Sequence, residues 1–175
     1  DFDGDRKKEI LVSNLQEGLL AYYVEDGRLL SLWRSPELSG RIRAADVNGD
    51  KVPEVILWTD DRLRILNMKD KNLRPLDGGT ITLSERLLEV VAVADVNNDG
   101  VEDVLFSRER EGSFCYLTRK SGNLELVPLE LSGRVTAVGD VDNDGRNELV
   151  VITSDGKVRV GELGEPGGPW GPEQR

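Results

Sequence analysis

Histidine is absent from this chain, and cysteine occurs once, as Cys115. The first absence removes the commonest general base and zinc ligand; the second excludes an internal disulfide and any cage built from cysteines alone. Aromatic residues make up 5% of the 175 residues, and no apolar run approaches the roughly 20 residues that a helix needs to cross a bilayer. The longest runs, such as EVILW from Glu54 and ELVVIT from Glu148, have the length of strands. Positive charge is scarce as well: 23 Lys and Arg stand against 33 Asp and Glu, for a net charge of −10 and a pI of about 4.6. Such a chain repels a phosphate backbone or an anionic lipid surface, so neither nucleic acid nor membrane insertion is expected. The 38% of hydrophobic residues are spread evenly and suffice for the core of one domain. No signal peptide precedes the opening DFDGD, and the segment is read as part of a longer chain.

What is abundant is acid, and it is clustered. DVDNDGRNE puts Asp140, Asp142, Asp144 and Glu148 within nine residues, where like charges repel unless something positive sits among them. The cluster has three further copies: DFDGDRKKE from Asp1, DVNGDKVPE from Asp46 and DVNNDGVED from Asp95, with starts 45, 49 and 45 residues apart. The flanks keep register. Short runs rich in small residues, IRAADV, VAVADV and TAVGDV, lead into three copies, and each copy is followed by a compact apolar run, ILV, EVILW, DVLF or ELVVI. Turn signals then come at Glu17-Gly18, Asp60-Asp61, Glu111-Gly112 and Asp155-Gly156, followed by alternating stretches such as RLRIL and KVRVGEL. Second turns at Asp26-Gly27, Lys69 to Asn72 and Lys120 to Asn123 lead to LLSLW, LRPL and LELVPLEL.

Four antiparallel strands per unit at a period in the mid-forties predict an all-β chain of β-propeller blades. Ala44, Ala45, Ala92, Ala94, Ala137 and Gly139 suit innermost strands that crowd an axis, and the second strands are apolar on both faces, as expected if two neighbouring blades cover each. A β-sandwich explains four in-register copies less simply. The first blade lacks its inner strand and the fourth its outer one, so about three and a half blades are present, a partial ring. Residues 1–163 carry the repeats, with acidic loops at 1–9, 46–54, 95–103 and 140–148; residues 164–175 read as a Pro/Gly-rich tail or outer-edge loop containing Trp170.

Each acidic loop joins the first and second strands of a blade, and its spacing reads as coordination chemistry. Calcium takes six to eight hard oxygens at about 2.3 to 2.6 Å, and a tight loop turns side chains 1, 3 and 5 inward. These are Asp1, Asp3 and Asp5; Asp46, Asn48 and Asp50; Asp95, Asn97 and Asp99; Asp140, Asp142 and Asp144. Position 7 gives a backbone carbonyl, from Lys7, Val52, Val101 or Arg146, and position 9 a carboxylate, from Glu9, Glu54, Asp103 or Glu148. Gly100 and Gly145 stand at position 6, where they permit a positive φ, whereas Arg6 and Lys51 stand there in the first two loops, where glycine sits at position 4 instead, so the pattern defines the geometry of the last two loops more closely than that of the first two. An EF-hand also opens D-x-D-x-D-G, but it closes with a carboxylate at position 12, occupied here by Val12, Leu57, Phe106 or Val151, and it lies between helices. Magnesium prefers tighter octahedral sites with retained water, and softer metals prefer imidazole or thiolate. A plain surface turn would explain one copy as well as a metal does; four copies favour the metal. The fourteen carboxylates at positions 1, 3, 5 and 9 exceed the net charge, and four calcium ions would bring −10 to −2.

The D-x-[DN]-x-D-x-x-x-[DE] loop followed by an apolar strand, repeated at this period, resembles the FG-GAP and VCBS repeats of integrin α-subunit propellers and of many bacterial and archaeal extracellular proteins. With no Phe-Gly or Gly-Ala-Pro signature beside its loops, the chain resembles the prokaryotic repeats more closely. The resemblance implies a seven-bladed, extracellular or cell-surface propeller with up to four calcium ions in this segment. It also implies protein or glycan binding on the opposite face, with cell adhesion among the roles. A structural subunit or spacer of a surface or filament assembly is the alternative, and the scaffold of a polysaccharide-processing enzyme a third. In either leading case further blades, from the parent chain or a second chain, are expected to cover the end faces. Catalysis is not expected: Asp60-Asp61 and Glu109 with Glu111 fall at hairpin turns where charge is solvated, and Cys115 reads as a small buried hydrophobe with no histidine to activate it. Trp33, Trp58, Tyr22 and Tyr23 on strands read as core or as a sugar-stacking surface.

Overall fold

The computed structural model describes residues 1–2, 7–69, 72–109, 113–131 and 133–163. Among them every regular element is a strand, and the strands form four antiparallel sheets in chain order. The first sheet holds β1 (Glu9–Asn14), β2 (Gly18–Glu25) and β3 (Arg28–Ser35), and the second β4 (Arg41–Ala45), β5 (Glu54–Trp58), β6 (Arg62–Lys69) and β7 (Asn72–Thr82). The third holds β8 (Leu87–Ala94), β9 (Asp103–Arg108), β10 (Ser113–Lys120) and β11 (Asn123–Glu130), and the fourth β12 (Arg134–Gly139), β13 (Glu148–Ile152) and β14 (Val158–Glu162). This is the strand plan of propeller blades, with the first strand of the first sheet and the last strand of the fourth missing among the described residues, as the repeat pattern predicts.

Local chemistry sets the connections. Asp26-Gly27 and Ser121-Gly122 both have positive φ at each residue, the twist that a two-residue link between right-twisted strands requires. The small residues noted in the sequence end the first strands of the second, third and fourth sheets and lie opposite the last acid of the loop that follows: Ala45 pairs with Glu54, Ala94 with Asp103 and Gly139 with Glu148. One boundary differs from the sequence expectation. The fourth strand of the second sheet does not stop after LRPL but runs on to Thr82, through a register shift opposite Arg64 and Leu66. Gly78 takes φ +71 there, and a Cβ on Gly79 would lie 2.7 Å from the Ile65 and Leu76 carbonyl oxygens, so the Gly-Gly pair is a bulge within a strand rather than its end.

The described residues fall into two compact units, one of Asp1–Asp46 and Asp50–Arg86, the other of Val47–Gly49 and the residues from Leu87 onward. In the first unit Leu19 of β2 and Val55 and Leu57 of β5 are fully buried, and Trp33 and Ile42 pack against them. The Ser13 hydroxyl ties the two sheets together, donating to the Gly40 carbonyl at 2.5 Å and accepting from the Gly40 N–H at 3.2 Å. In the second unit Leu105 of β9 meets Leu149 and Val151 of β13 and Val135 of β12, so one face of the fourth sheet closes on the third.

The expectation that second strands are covered on both faces holds for β5, buried throughout, and for β9 from Asp103 to Phe106. It does not hold in the first and fourth sheets. Ile10 and Val12, alternate residues of β1, are exposed. On the fourth sheet Ile152 pairs with Val158 and Val150 with Val160, and this face leaves Ile152, Val158 and Val160 at 44, 62 and 43% exposure.

Candidate metal centre

The three described acidic loops share one backbone template. In each, the position-1 aspartate accepts two consecutive N–H groups: Asp46 from Asp50 (3.1 Å) and Lys51 (2.7 Å), Asp95 from Asp99 (2.9 Å) and Gly100 (2.7 Å), Asp140 from Asp144 (3.1 Å) and Gly145 (2.9 Å). The position-5 aspartate accepts the position-7 N–H: Asp50 from Val52, Asp99 from Val101 and Asp144 from Arg146, at 2.8 to 2.9 Å. Position 3 joins in the last two loops, where Asn97 and Asp142 accept the N–H of Asp99 and Asp144. The chain is wound around its own carboxylates, which leaves their remaining lone pairs to be satisfied together.

Winding of this kind needs positive φ at positions 4 and 6. Asn98 and Asn143 take +58° and +65° at position 4, and Gly100 and Gly145 take +91° and +92° at position 6. The second loop, whose geometry the sequence left less defined, has the same form: Gly49 stands at +80° and Lys51 at +71°. The two amide bonds to Asp46 hold Lys51 in a region that costs a non-glycine residue about 1–2 kcal/mol. In the first loop Asp3 and Asp5 lie outside the described residues, while Glu9 is in place and accepts the Phe2 N–H at 2.7 Å.

Position 9 is where the loop meets the core. Glu54, Asp103 and Glu148 are buried. Each stands on the first residue of a second strand, and Asp103 and Glu148 use one oxygen to accept the position-2 N–H, from Val96 at 2.9 Å and Val141 at 2.7 Å. Burial pushes the Asp103 carboxyl up to about 6, against the pull of hydrogen bonds from the Thr118 hydroxyl and the Val96 and Asn97 amides. Thr118, buried on β10, also accepts from the Asn97 side-chain amide at 2.9 Å, so it links positions 3 and 9 of that loop. Nothing in the loop sequence points to it; its signal is a hydroxyl on a buried strand position.

The donor set is all oxygen. Asp140, Asp142 and Glu148 each offer one carboxylate oxygen within 4.8 Å of the others. Two ligands of one calcium ion at about 2.3 to 2.6 Å lie at most about 5.2 Å apart, so the spacing suits that ion, as do the hard donors. The Arg146 side chain is engaged outside the loop, 2.5 Å from Glu162.

Asp60 and Asp61, also singled out from the sequence, are solvated and paired. Asp60 meets Arg86 at 2.7 Å, and a hydrogen bond from the Thr59 hydroxyl holds the Asp61 carboxyl below the usual range. Glu109 is exposed, and Glu111 lies outside the described residues, as do residues 164–175 with Trp170. Cys115 is buried, as expected. Trp58 is buried and Trp33 packs on the core of its unit, with Tyr22 and Tyr23 half-buried, so the aromatics do not make one open stacking surface. Among the described residues no helix is long and apolar enough to cross a membrane.

Residues 46–106 match the FG-GAP-like repeat, from the first aspartate of the second loop to Phe106 in β9. Over 108 aligned residues, covering 51% of this chain, the sequence is 30% identical to integrin alpha-4 of Xenopus laevis. The match spans 10% of the length of that relative.

Proposed function

We propose that this chain is a calcium-stabilised segment of an extracellular β-propeller that serves recognition of a protein or glycan at a cell surface. The observation that carries the calcium reading is the convergence of Asp140, Asp142 and Glu148 within 4.8 Å on a backbone template that recurs at 46–54 and 95–103. Positions 1, 3, 5 and 9 of each loop would hold the ion, with the carbonyls of Lys7, Val52, Val101 and Arg146, for up to four ions. Bound calcium supplies charge: it offsets the repulsion among carboxylates and the desolvation of the buried acids at position 9. The extracellular setting, the recognition role and a seven-bladed parent rest on the similarity to the FG-GAP-like repeat and to an integrin.

Calcium is expected to raise the melting temperature. With a dissociation constant near 0.1 mM and about millimolar calcium, each occupied site adds about 1.4 kcal/mol, so two sites add about 3 kcal/mol and shift the transition by about 6–12 °C. Calorimetric melts with calcium and with excess chelator measure this, and superimposable transitions would refute the reading.

The exposed Ile152, Val158 and Val160 face of the fourth sheet favours completion by further blades, since the opposite face of that sheet is closed by just such a neighbour. These 175 residues alone are therefore expected to self-associate at micromolar concentration with calcium present. A monodisperse monomer in light scattering would show that this face needs no cover.

A further inference from the structure

The third and fourth acidic loops are joined by a pair of asparagines that the coordination pattern leaves unexplained. Asn98 sits at position 4 of its loop, between the candidate ligands Asn97 and Asp99; Asn147 sits at position 8 of the next loop, between the carbonyl of Arg146 and the carboxylate of Glu148. The Asn98 side-chain oxygen accepts the Asn147 backbone N–H at 2.7 Å, and its amide nitrogen donates to the Asn147 carbonyl at 3.3 Å. Only this orientation of the Asn98 amide matches donor to acceptor at both ends. The Asn147 side chain returns the contact, donating to the carbonyl of Asp95, the first residue of the third loop, at 2.9 Å. Three hydrogen bonds thus connect residues 49 and 52 positions apart.

We propose that Asn98 and Asn147 are positioning residues that couple the two loops, so that calcium held by either one raises the affinity of the other. The inference rests on the calcium reading above and goes beyond it. An ion in the third loop fixes Asn97 and Asp99 and with them the backbone of Asn98, whose φ of +58° aims its amide at the fourth loop. That amide grips both backbone polar groups of Asn147, between two ligand positions, so part of the ordering required by the second ion is already done. The coupling is reciprocal by thermodynamic necessity, and occupying one of two coupled sites typically changes the affinity of the other by about 5–150-fold. The pair is particular to this junction: position 8 is Lys8, Pro53 and Glu102 in the other loops, and position 4 is glycine in the first two.

The test is a cycle with loop-specific readout. Calcium is titrated into the whole chain while the backbone amide resonances of Gly100 and Gly145 report the third and fourth loops separately. Disabling the fourth loop by Asp144→Ala is expected to weaken the third by about fivefold or more. In an Asn98→Gly background, which keeps the left-handed backbone and removes only the side chain, the same substitution should leave the third loop unchanged. Asn147→Ala serves as the second variant, and thermal melts establish that each is folded. Equal weakening of the third loop in both backgrounds, or none in either, overturns the coupling while leaving calcium binding intact. Failure of Gly100 and Gly145 to respond to calcium in the unaltered chain overturns the coupling and the calcium reading together.

Discussion

Leu105→Ala is expected to lower the stability of the second unit by about 2–5 kcal/mol, the range for truncating a fully buried leucine where the surroundings relax only partly. Leu105 has no exposed surface, and its neighbours Leu149, Val151 and Val135 come from the sheet stacked against it. The void therefore opens at a seam between two sheets, and each is held in place there by the other. Leu15→Ala is the control, since Leu15 lies in the turn after β1 at 92% exposure and should change stability by less than about 0.5 kcal/mol. Denaturant melts of both variants decide the matter: equal midpoints would mean that the sheets do not depend on this seam.

Asp144→Ala is expected to weaken calcium binding by its loop about a hundredfold or more, and Asp50→Ala by about tenfold, in the second loop. The upper figure follows because even the outer partners of metal ligands are worth about 10–100-fold. The comparison is clean because both aspartates make the same turn bond, to the Arg146 N–H at 2.9 Å and the Val52 N–H at 2.8 Å, so loss of loop structure largely cancels. What differs is the site. The fourth loop offers four carboxylates and has Gly145 at its left-handed position, while the second has Asn48 in place of one carboxylate and holds Lys51 at +71°. Calorimetry on each variant tests the ranking, and equal losses would contradict it.

The repeat was legible because it is local. A period near 45 residues, a turn at every hairpin and small residues before three of the acidic loops all follow from side-chain type, and the sheets form where these place them. Lys51 left the second loop undefined for a definite reason: a residue-by-residue rule looks for glycine at position 6, whereas two N–H groups donating to the Asp46 carboxylate impose the left-handed conformation whatever side chain stands there. Gly78-Gly79 misled in the opposite sense, since a pair that usually breaks a strand bends one here and lets β7 continue to Thr82. The asparagine bridge and Thr118 were invisible in the sequence because they act across 49 and 21 residues, where no periodicity relates donor to acceptor.

Each of the four sheets is drawn from one uninterrupted stretch of chain, 9–35, 41–82, 87–130 and 134–162, with neighbouring strands joined in order. Pairing within a sheet therefore closes only short loops, and the entropy lost to closure grows slowly with loop length. Contacts of this kind form early, and a chain emerging from the ribosome can finish one sheet before the strands of the next have been made. In the second, third and fourth sheets the acidic loop links the first two strands, so pairing of those strands and the gathering of carboxylates go together. Duplication of such a stretch adds a sheet whose strand pairing is its own, without disturbing the pairing of those already present, and offers its face for the neighbour to pack on.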